Sequence, residues 1–231
     1  MKFCWVRFGR ACFLPLLLVS LSACGTRQSQ GATRQVGFSP PSAASGQTYV
    51  YECGNTEAVT VRIEGEVAWL FLAAGTFRLP SAVSASGARF SDGVRSYWNK
   101  GDQASFDLGE QIYDGCIENR AKSIWEDAKF RGVDFRAVGN EPGWHLEIFD
   151  AEKVVFFHNY GQERHEFPAS HPVSDEASYI TRYNLQNGAH QLLITLEDRR
   201  CRDSMSDDIF QTTVRLVFDG KAFSGCGNAL H

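Results

Sequence analysis

The chain has 231 residues, of which 43% are hydrophobic and 13% aromatic, enough to build more than one small globular core. Its 27 acidic residues outnumber its 23 basic ones. This argues against a nucleic-acid-binding protein, because such proteins carry basic surfaces. An acidic surface would instead attract a basic protein partner and speed the encounter.

Residues 1–23 are predicted to be a lipoprotein signal peptide, because a basic start precedes an apolar run too short to span a bilayer. The run ends in Leu-Ser-Ala-Cys-Gly, which resembles a bacterial lipobox. The resemblance implies cleavage before Cys24 and attachment of lipid, palmitate included, to its thiol. Gly25 and Thr26 directly follow Cys24, with no aspartate beside it, and by resemblance to enterobacterial sorting we expect an outer-membrane lipoprotein that faces the periplasm.

The seven cysteines divide into three groups. Two lie in the signal and a third is the lipidated residue, which leaves an even number for an oxidising compartment. Three pairings of these four are possible. We expect Cys53–Cys116 and Cys201–Cys226, because each bridge then closes within one predicted domain. Neither pair has the spacing of a zinc or redox motif.

Residues 24–46 are predicted to be the lipidated cysteine and a flexible tether. The segment is rich in Gly, Ser, Gln, Ala and Pro. Such a composition buries too little apolar area to offset the entropy of ordering the chain.

Residues 47–120 are predicted to be a first β domain. In several short runs, every second side chain is apolar. Pairs of an acidic residue and a glycine, which are typical of turns, lie between or near these runs. The runs are 59–63, 67–72 and 104–108, and the turn pairs are Glu64-Gly65, Asp92-Gly93 and Asp114-Gly115. Short alternating strands at this spacing indicate an antiparallel barrel or sandwich.

Residues 121–231 are predicted to be a second β-rich domain. A short helix is predicted over 121–130, as a linker or as the start of this domain. Strand patterns and hairpin turns follow it. They are Trp144–Ile148, 154–157, 192–196 and 214–218, with turns at Asn187-Gly188 and Asp219-Gly220. The predicted fold class is therefore mainly β, with two small antiparallel barrel or sandwich domains, each holding a disulfide.

Two motifs of the first domain place a polar group beside a glycine. Ser86 precedes Gly87 in Ser-Ala-Ser-Gly-Ala-Arg-Phe, and Lys100 precedes Gly101 in Tyr-Trp-Asn-Lys-Gly. Each glycine allows its neighbour to project from a tight backbone. With the flanking cysteines, the motifs resemble those of the membrane-bound inhibitors of C-type lysozyme over residues 48–118. The resemblance implies that Ser86 and Lys100 enter the lysozyme cleft.

The target's chemistry suits these two groups. C-type lysozyme works with one protonated and one ionised carboxyl in a groove. The ammonium of Lys100 would face the ionised carboxylate, and the hydroxyl of Ser86 would meet the acid. We expect Phe90, Tyr97 and Trp98 to be packing residues. Further contacts are expected from Ser91, Asp92, Gly93 and Arg95.

The second domain contains two polar clusters around Trp144 and Cys201. They resemble an uncharacterised family of small bacterial envelope lipoprotein domains, which names no activity. The favoured interpretation is turns and a disulfide that hold a small barrel. The alternative is a rim that binds a cell-wall fragment or small metabolite. That rim would consist of Asn140, Glu141, Trp144, Asp203 and Ser206.

No motif of a metal site or hydrolase is complete. The histidines at 145, 158, 165, 171 and 190 are scattered, and His165-Glu166 lacks the second histidine of a zinc protease and precedes Pro168. There is no G-x-S-x-G elbow and no phosphate-binding glycine loop. We therefore expect no enzyme, no cofactor and no metal. The prediction is a lipid-anchored inhibitor of C-type lysozyme. The rivals are a module whose ligand binds the second domain, and a structural lipoprotein of an outer-membrane complex.

Overall fold

The computed structural model describes residues 46–54, 58–150 and 152–231, all within one compact unit. The predicted signal peptide, lipidation of Cys24 and nearly all of the predicted tether lie outside the described residues. Among the described residues, no helix has the length and apolar character needed to cross a bilayer.

The first eight strands form a closed antiparallel barrel in chain order, in which β1 pairs with β8. Of the two architectures predicted for this half, the structure has the barrel. The strands are β1 Gln47–Glu52, β2 Val59–Glu64, β3 Val67–Leu72, β4 Gly75–Ala82, β5 Ala88–Ser91, β6 Ser96–Lys100, β7 Gln103–Asp107 and β8 Ile112–Glu118.

Alternation along the strands fills the barrel interior, as period-2 side chains require. The rings of Tyr51, Tyr97 and Phe106 are fully buried and pack against one another. The two tyrosine hydroxyls satisfy each other at 2.9 Å. Burial is the main cause that raises the pKa of Tyr97, and repulsion from an ionised Tyr51 raises it further. The Tyr97 hydroxyl therefore stays neutral.

The barrel's first and last strands are also joined covalently. The Cys53–Cys116 disulfide has the predicted pairing and links the residue after β1 to β8. The turn predicted at Asp114-Gly115 is wrong, because β8 runs through both residues. Gly115 adopts φ +67° there, and the pairing of β8 with β7 shifts register nearby, so the glycine marks an irregularity within the strand.

A single helix, α1 (Arg120–Phe130), joins the two halves among the described residues. The side chain of Asn119 caps it by accepting from the Lys122 amide at 3.0 Å. On the barrel side, the Ser123 hydroxyl accepts from the Val50 amide at 2.9 Å. On the other side, the Trp125 ring packs against Phe210.

A chain of alternating charges follows the same helix, and we call it the ion chain. Arg62 of the barrel donates to Asp127 of α1 at 3.2 Å, and Arg131 bonds both Asp127 and Glu147. Arg136 also donates to Glu147. Burial opposes ionisation of Glu147, but the hydrogen bond from Arg131 and the charge of Arg136 hold its pKa below the usual value.

The second half is a nine-stranded antiparallel sheet in the order β12-β11-β10-β9-β19-β18-β15-β14-β13, with the small pair β16-β17 beside it. Its strands are β9 Phe135–Asn140, β10 Gly143–Phe149, β11 Lys153–His158, β12 Glu163–Pro168, β13 Val173–Asp175, β14 Ile180–Asn187, β15 His190–Glu197, β16 Cys201–Arg202, β17 Ile209–Phe210, β18 Thr212–Phe218 and β19 Lys221–Ala229.

This sheet curls so that edge strand β12 comes to lie against β14. The Asn187 side-chain amide donates to the Glu166 carbonyl at 2.5 Å, which ties the two strands together without a ladder. The inner face holds the apolar core, including Leu146, Phe156 and Phe167. The Cys201–Cys226 disulfide has the predicted pairing and fastens β16 to β19.

Candidate functional site

The two glycine motifs of the barrel lie at the same end. Strands β5 and β6 are antiparallel and pair Ala88 with Asn99. The start of β5 therefore adjoins the end of β6. The loop 83–87 before β5 and the turn 101–102 after β6 thus form one edge. We call residues 83–87 and 99–102 the serine–lysine rim.

Gly87 fixes the loop against β6. Its φ of +67° is disfavoured for other residues. A Cβ at this position would also lie 2.1 Å from the carbonyl oxygen of Asn99. The sequence requires glycine here for both backbone conformation and close approach. Gly101 has the same sign of φ but open space around it, so its requirement is conformational alone.

Side chains complete the restraint of this loop. The carbonyl of Ser86 accepts from the Trp98 indole at 2.8 Å and from the Ser84 hydroxyl at 2.6 Å. The Ala88 amide donates to the Asn99 side chain at 3.3 Å. The loop is therefore held by its backbone, which leaves the side chain of Ser86 out of the restraints.

The functional groups of Ser86 and Lys100 are both exposed. Within the ranges that the structure describes, neither the Ser86 hydroxyl nor the Lys100 ammonium has a hydrogen-bond or ion-pair partner. Lys100 is also the only lysine between residues 47 and 118. The rim therefore presents a hydroxyl and a cation on a backbone fixed in advance.

Two of the three aromatic residues near the motifs have the predicted packing role. Phe90 and Tyr97 are buried in the barrel core. Trp98 differs, because it is 42% exposed and supports the rim through its indole N–H. The sequence contains the signal for this difference, since neighbouring residues on a strand face opposite ways.

The residues expected to add contacts lie away from the rim, and they are Ser91, Asp92, Gly93 and Arg95. They form the β5–β6 turn, at the far end of a strand about 13 Å long. Asp92 bonds the amides of Val94 and Arg95 there, and Arg95 lies 3.9 Å from the centre of the Phe77 ring. The barrel mouth at this opposite end encloses a cavity of about 690 Å³.

The polar residues predicted for a rim on the second half mostly bond one another. The Asn140 amide donates to both carboxylate oxygens of Asp203, at 3.1 and 3.0 Å. Asp203 also accepts from the Ser206 amide and hydroxyl. Burial opposes ionisation of Asp203, but these bonds hold its pKa below the usual value. Glu141 is exposed beside them.

Trp144 does not face this rim. Its side chain is only 4% exposed, lies in the apolar core and donates to the Ser224 carbonyl at 3.3 Å. The sequence contained the signal for burial, because Trp144 alternates with Leu146 and Ile148, which line the same core. The predicted ligand rim is therefore not brought together as a set of available side chains.

The fold assembles a cluster that the scattered histidines did not predict. The rings of His158 and His165 stack, and the T-shaped contact of His190 with His165 completes the group. Burial, then the charges of His158 and His190, lower the pKa of His165. Each histidine lies two residues from a buried apolar residue, so alternation indicates the shared inner face. The sequence gives no sign that their strands meet.

Comparison with known proteins finds a similarity for the barrel. Residues 51–114 match the model of the family described as membrane-bound lysozyme-inhibitor of c-type lysozyme. No curated protein and no solved structure matches the chain. The resemblance predicted for the second half stays a prediction. The match covers both motifs of the serine–lysine rim, and the barrel is thus similar to the membrane-bound inhibitors of c-type lysozyme.

Proposed function

We propose that the protein inhibits c-type lysozyme by inserting Ser86 and Lys100 into the active-site cleft. The observation that carries the proposal is the serine–lysine rim, where a hydroxyl and an ammonium are exposed and have no partner among the described residues, within a segment that matches the inhibitor family. The protein plugs the cleft and breaks no bond.

The chemistry of the cleft complements this rim. An ionised carboxylate buried by the inhibitor needs a cation in contact, since a buried unpaired charge is strongly unfavourable. Lys100 supplies that cation. The neighbouring acid carries a proton and can donate to Ser86 or accept from it, because a hydroxyl does both.

The fixed backbone favours tight binding. The Ser86 carbonyl is held by Trp98 and Ser84, so the loop is ordered before the encounter. Preorganisation of this kind lowers the entropy lost on association. The acidic excess of the chain also attracts a basic enzyme and raises the association rate. Anchoring through Cys24 at the outer membrane would place the inhibitor in the periplasm, where entering lysozyme reaches the cell wall.

The test is turnover by a c-type lysozyme in the presence of the purified protein, compared with Ser86→Ala and Lys100→Ala. The parent should inhibit at micromolar concentration or below. Lys100→Ala should weaken binding by about 2–5 kcal/mol, because a lysozyme carboxylate is left buried and unpaired. Ser86→Ala should weaken it by about 1–3 kcal/mol.

The matched controls are Ser224→Ala and Lys221→Ala, which remove the same groups from exposed positions on β19. Both should inhibit like the parent. Undiminished lysozyme activity at micromolar parent protein would reject the proposal. Equal inhibition by the parent and Lys100→Ala would reject the insertion mechanism alone.

A further inference from the structure

The histidine cluster lies at one end of the curled sheet, far from the rim in sequence and independent of the proposed inhibition. His158 ends β11, His165 lies on β12, and His190 begins β15. All three rings pack against Phe218, which forms a common floor. Three strands thus converge their imidazoles on one point.

The donor atoms have the separation of ligands around one ion. The His158 Nε2 lies 3.2 Å from the His165 Nε2 and 3.5 Å from a carboxylate oxygen of Glu163. Tetrahedral zinc with bonds of about 2.0–2.1 Å places its ligand atoms about 3.3–3.4 Å apart. The ligand atoms of these three residues all lie within 4.8 Å of one another.

His190 is oriented by a carboxylate in the way that metal-binding imidazoles usually are. Its Nδ1 bonds Asp219 at 2.6 Å, and Asp219 is itself fixed by the Gln191 amide at 2.8 Å. This leaves the Nε2 of His190 for a ligand. The ring centres of His190 and His165 are 4.7 Å apart, and His190 would have to turn toward the ion to serve as a fourth ligand.

We propose that His158, Glu163, His165 and His190 bind a zinc ion that clips the curled sheet closed. Three imidazoles and one carboxylate form a donor set that suits divalent zinc. The ion would join β12 to the β14–β15 hairpin, where the bond from Asn187 to Glu166 and the ring contact of His165 with His190 already lie. Such an ion would fix edge strand β12, which in the described sheet has a backbone ladder only with β11.

Zinc binding to the purified full chain tests the proposal, by titration calorimetry and by thermal unfolding with and without zinc. We expect one zinc ion per chain at this cluster and a rise in Tm, because an ion that binds only the folded state stabilises it. The double variant His158→Gln/His165→Gln should lose this binding and the Tm rise. His171→Gln, at an exposed histidine outside the cluster, should retain both.

Cobalt distinguishes this cluster from the N-terminal cysteines as the source of binding. Co²⁺ bound by imidazoles and a carboxylate shows visible bands without the charge-transfer band that thiolate ligands give. If the double variant fails to fold, Glu163→Gln serves instead, because this side chain is 52% exposed. It should weaken zinc binding by at least about tenfold, since loss of even an outer-shell partner costs that much. A parent that binds no zinc, or a folded variant that binds it equally well, would overturn the proposal.

Discussion

The barrel and the sheet each carry a polar cluster at a loop edge, yet the two differ in what they leave available. On the serine–lysine rim, the backbone is restrained and the side chains of Ser86 and Lys100 are unpartnered within the described chain. On the sheet, Asn140 and Asp203 satisfy each other. A polar motif in sequence therefore indicates a binding surface only where neighbouring groups do not consume its hydrogen bonds.

The largest effect is expected from Gly87→Ala, which would distort the backbone of the serine–lysine rim. The new Cβ would meet the Asn99 carbonyl, and its φ would be strained. We expect a loss of about 2–4 kcal/mol in stability and a large loss of lysozyme inhibition. Gly101→Ala has the strain without the clash, and should cost about 1–2 kcal/mol. Urea unfolding and inhibition assays measure both, and equal effects would contradict the role given to Gly87.

Asp203→Ala should differ from Gly87→Ala in one respect, because it should lose stability but keep lysozyme inhibition. The substitution leaves the amides of Met205 and Ser206 without their acceptor, which should cost about 2–3 kcal/mol. Inhibition measured below the unfolding transition should match the parent. The exposed neighbour Glu141→Ala is the control and should change neither quantity. Weaker inhibition by Asp203→Ala would mean that the sheet takes part in lysozyme binding.

Mild acid should destabilise the sheet through its histidines but not the barrel, because all six histidines lie after residue 140. Burial, then the charge of Arg136, lowers the pKa of His145 to about 4. The unfolded chain, with a histidine pKa of about 6.5, binds more protons between these values. Stability is therefore full above about pH 6.5 and falls toward about pH 4, by about 2 kcal/mol for this half-buried ring.

Urea unfolding at pH 7.5 and 4.5 measures this loss, and His145→Gln should reduce it. His165 contributes in the same direction, since its pKa is also lowered. A parent equally stable at both pH values would contradict the buried neutral state of His145.

The smallest effect is expected from Trp98→Phe. The variant keeps an aromatic ring but loses the indole donor to Ser86, so the loop is less restrained. We expect inhibition weaker by about 0.5–1.5 kcal/mol, roughly 2- to 12-fold, with little change in stability. Trp125→Phe, on the helix, should reduce stability and spare inhibition. If the two tryptophan variants behave alike, the indole does not order the rim.

Local patterns in the sequence predicted seven of the nineteen described strands, four of five turns and the inward packing of Phe90 and Tyr97, because alternation and glycine pairs are local signals. The same alternation also indicates burial of Trp144, although its polar neighbours led us to predict it for the rim. The turn predicted at Asp114-Gly115 was wrong because a glycine can mark an irregularity inside a strand as well as a turn.

The histidine cluster and the ion chain depend on which distant strands meet. His158, His165 and His190 come from three strands, and Arg62 meets a carboxylate 65 residues later. Such contacts follow from sheet order and curl, which no local pattern encodes. The exposure of Ser86 and Lys100 was suggested by their glycines. The supporting bond from Trp98 depends on the register of β5 against β6.

The ion chain limits how this inhibitor-like barrel can be transplanted. A fragment that stopped at the end of β8 would deprive Arg62 of Asp127 and the Val50 amide of Ser123. Arg62 would keep its ion pair with Glu64 at 3.0 Å, so the larger cost falls on the Val50 amide, whose lost acceptor is worth about 1–3 kcal/mol. The portable module is therefore the barrel with its helix, which is longer than the stretch that matches the inhibitor family, and evolution or engineering would have to move both together.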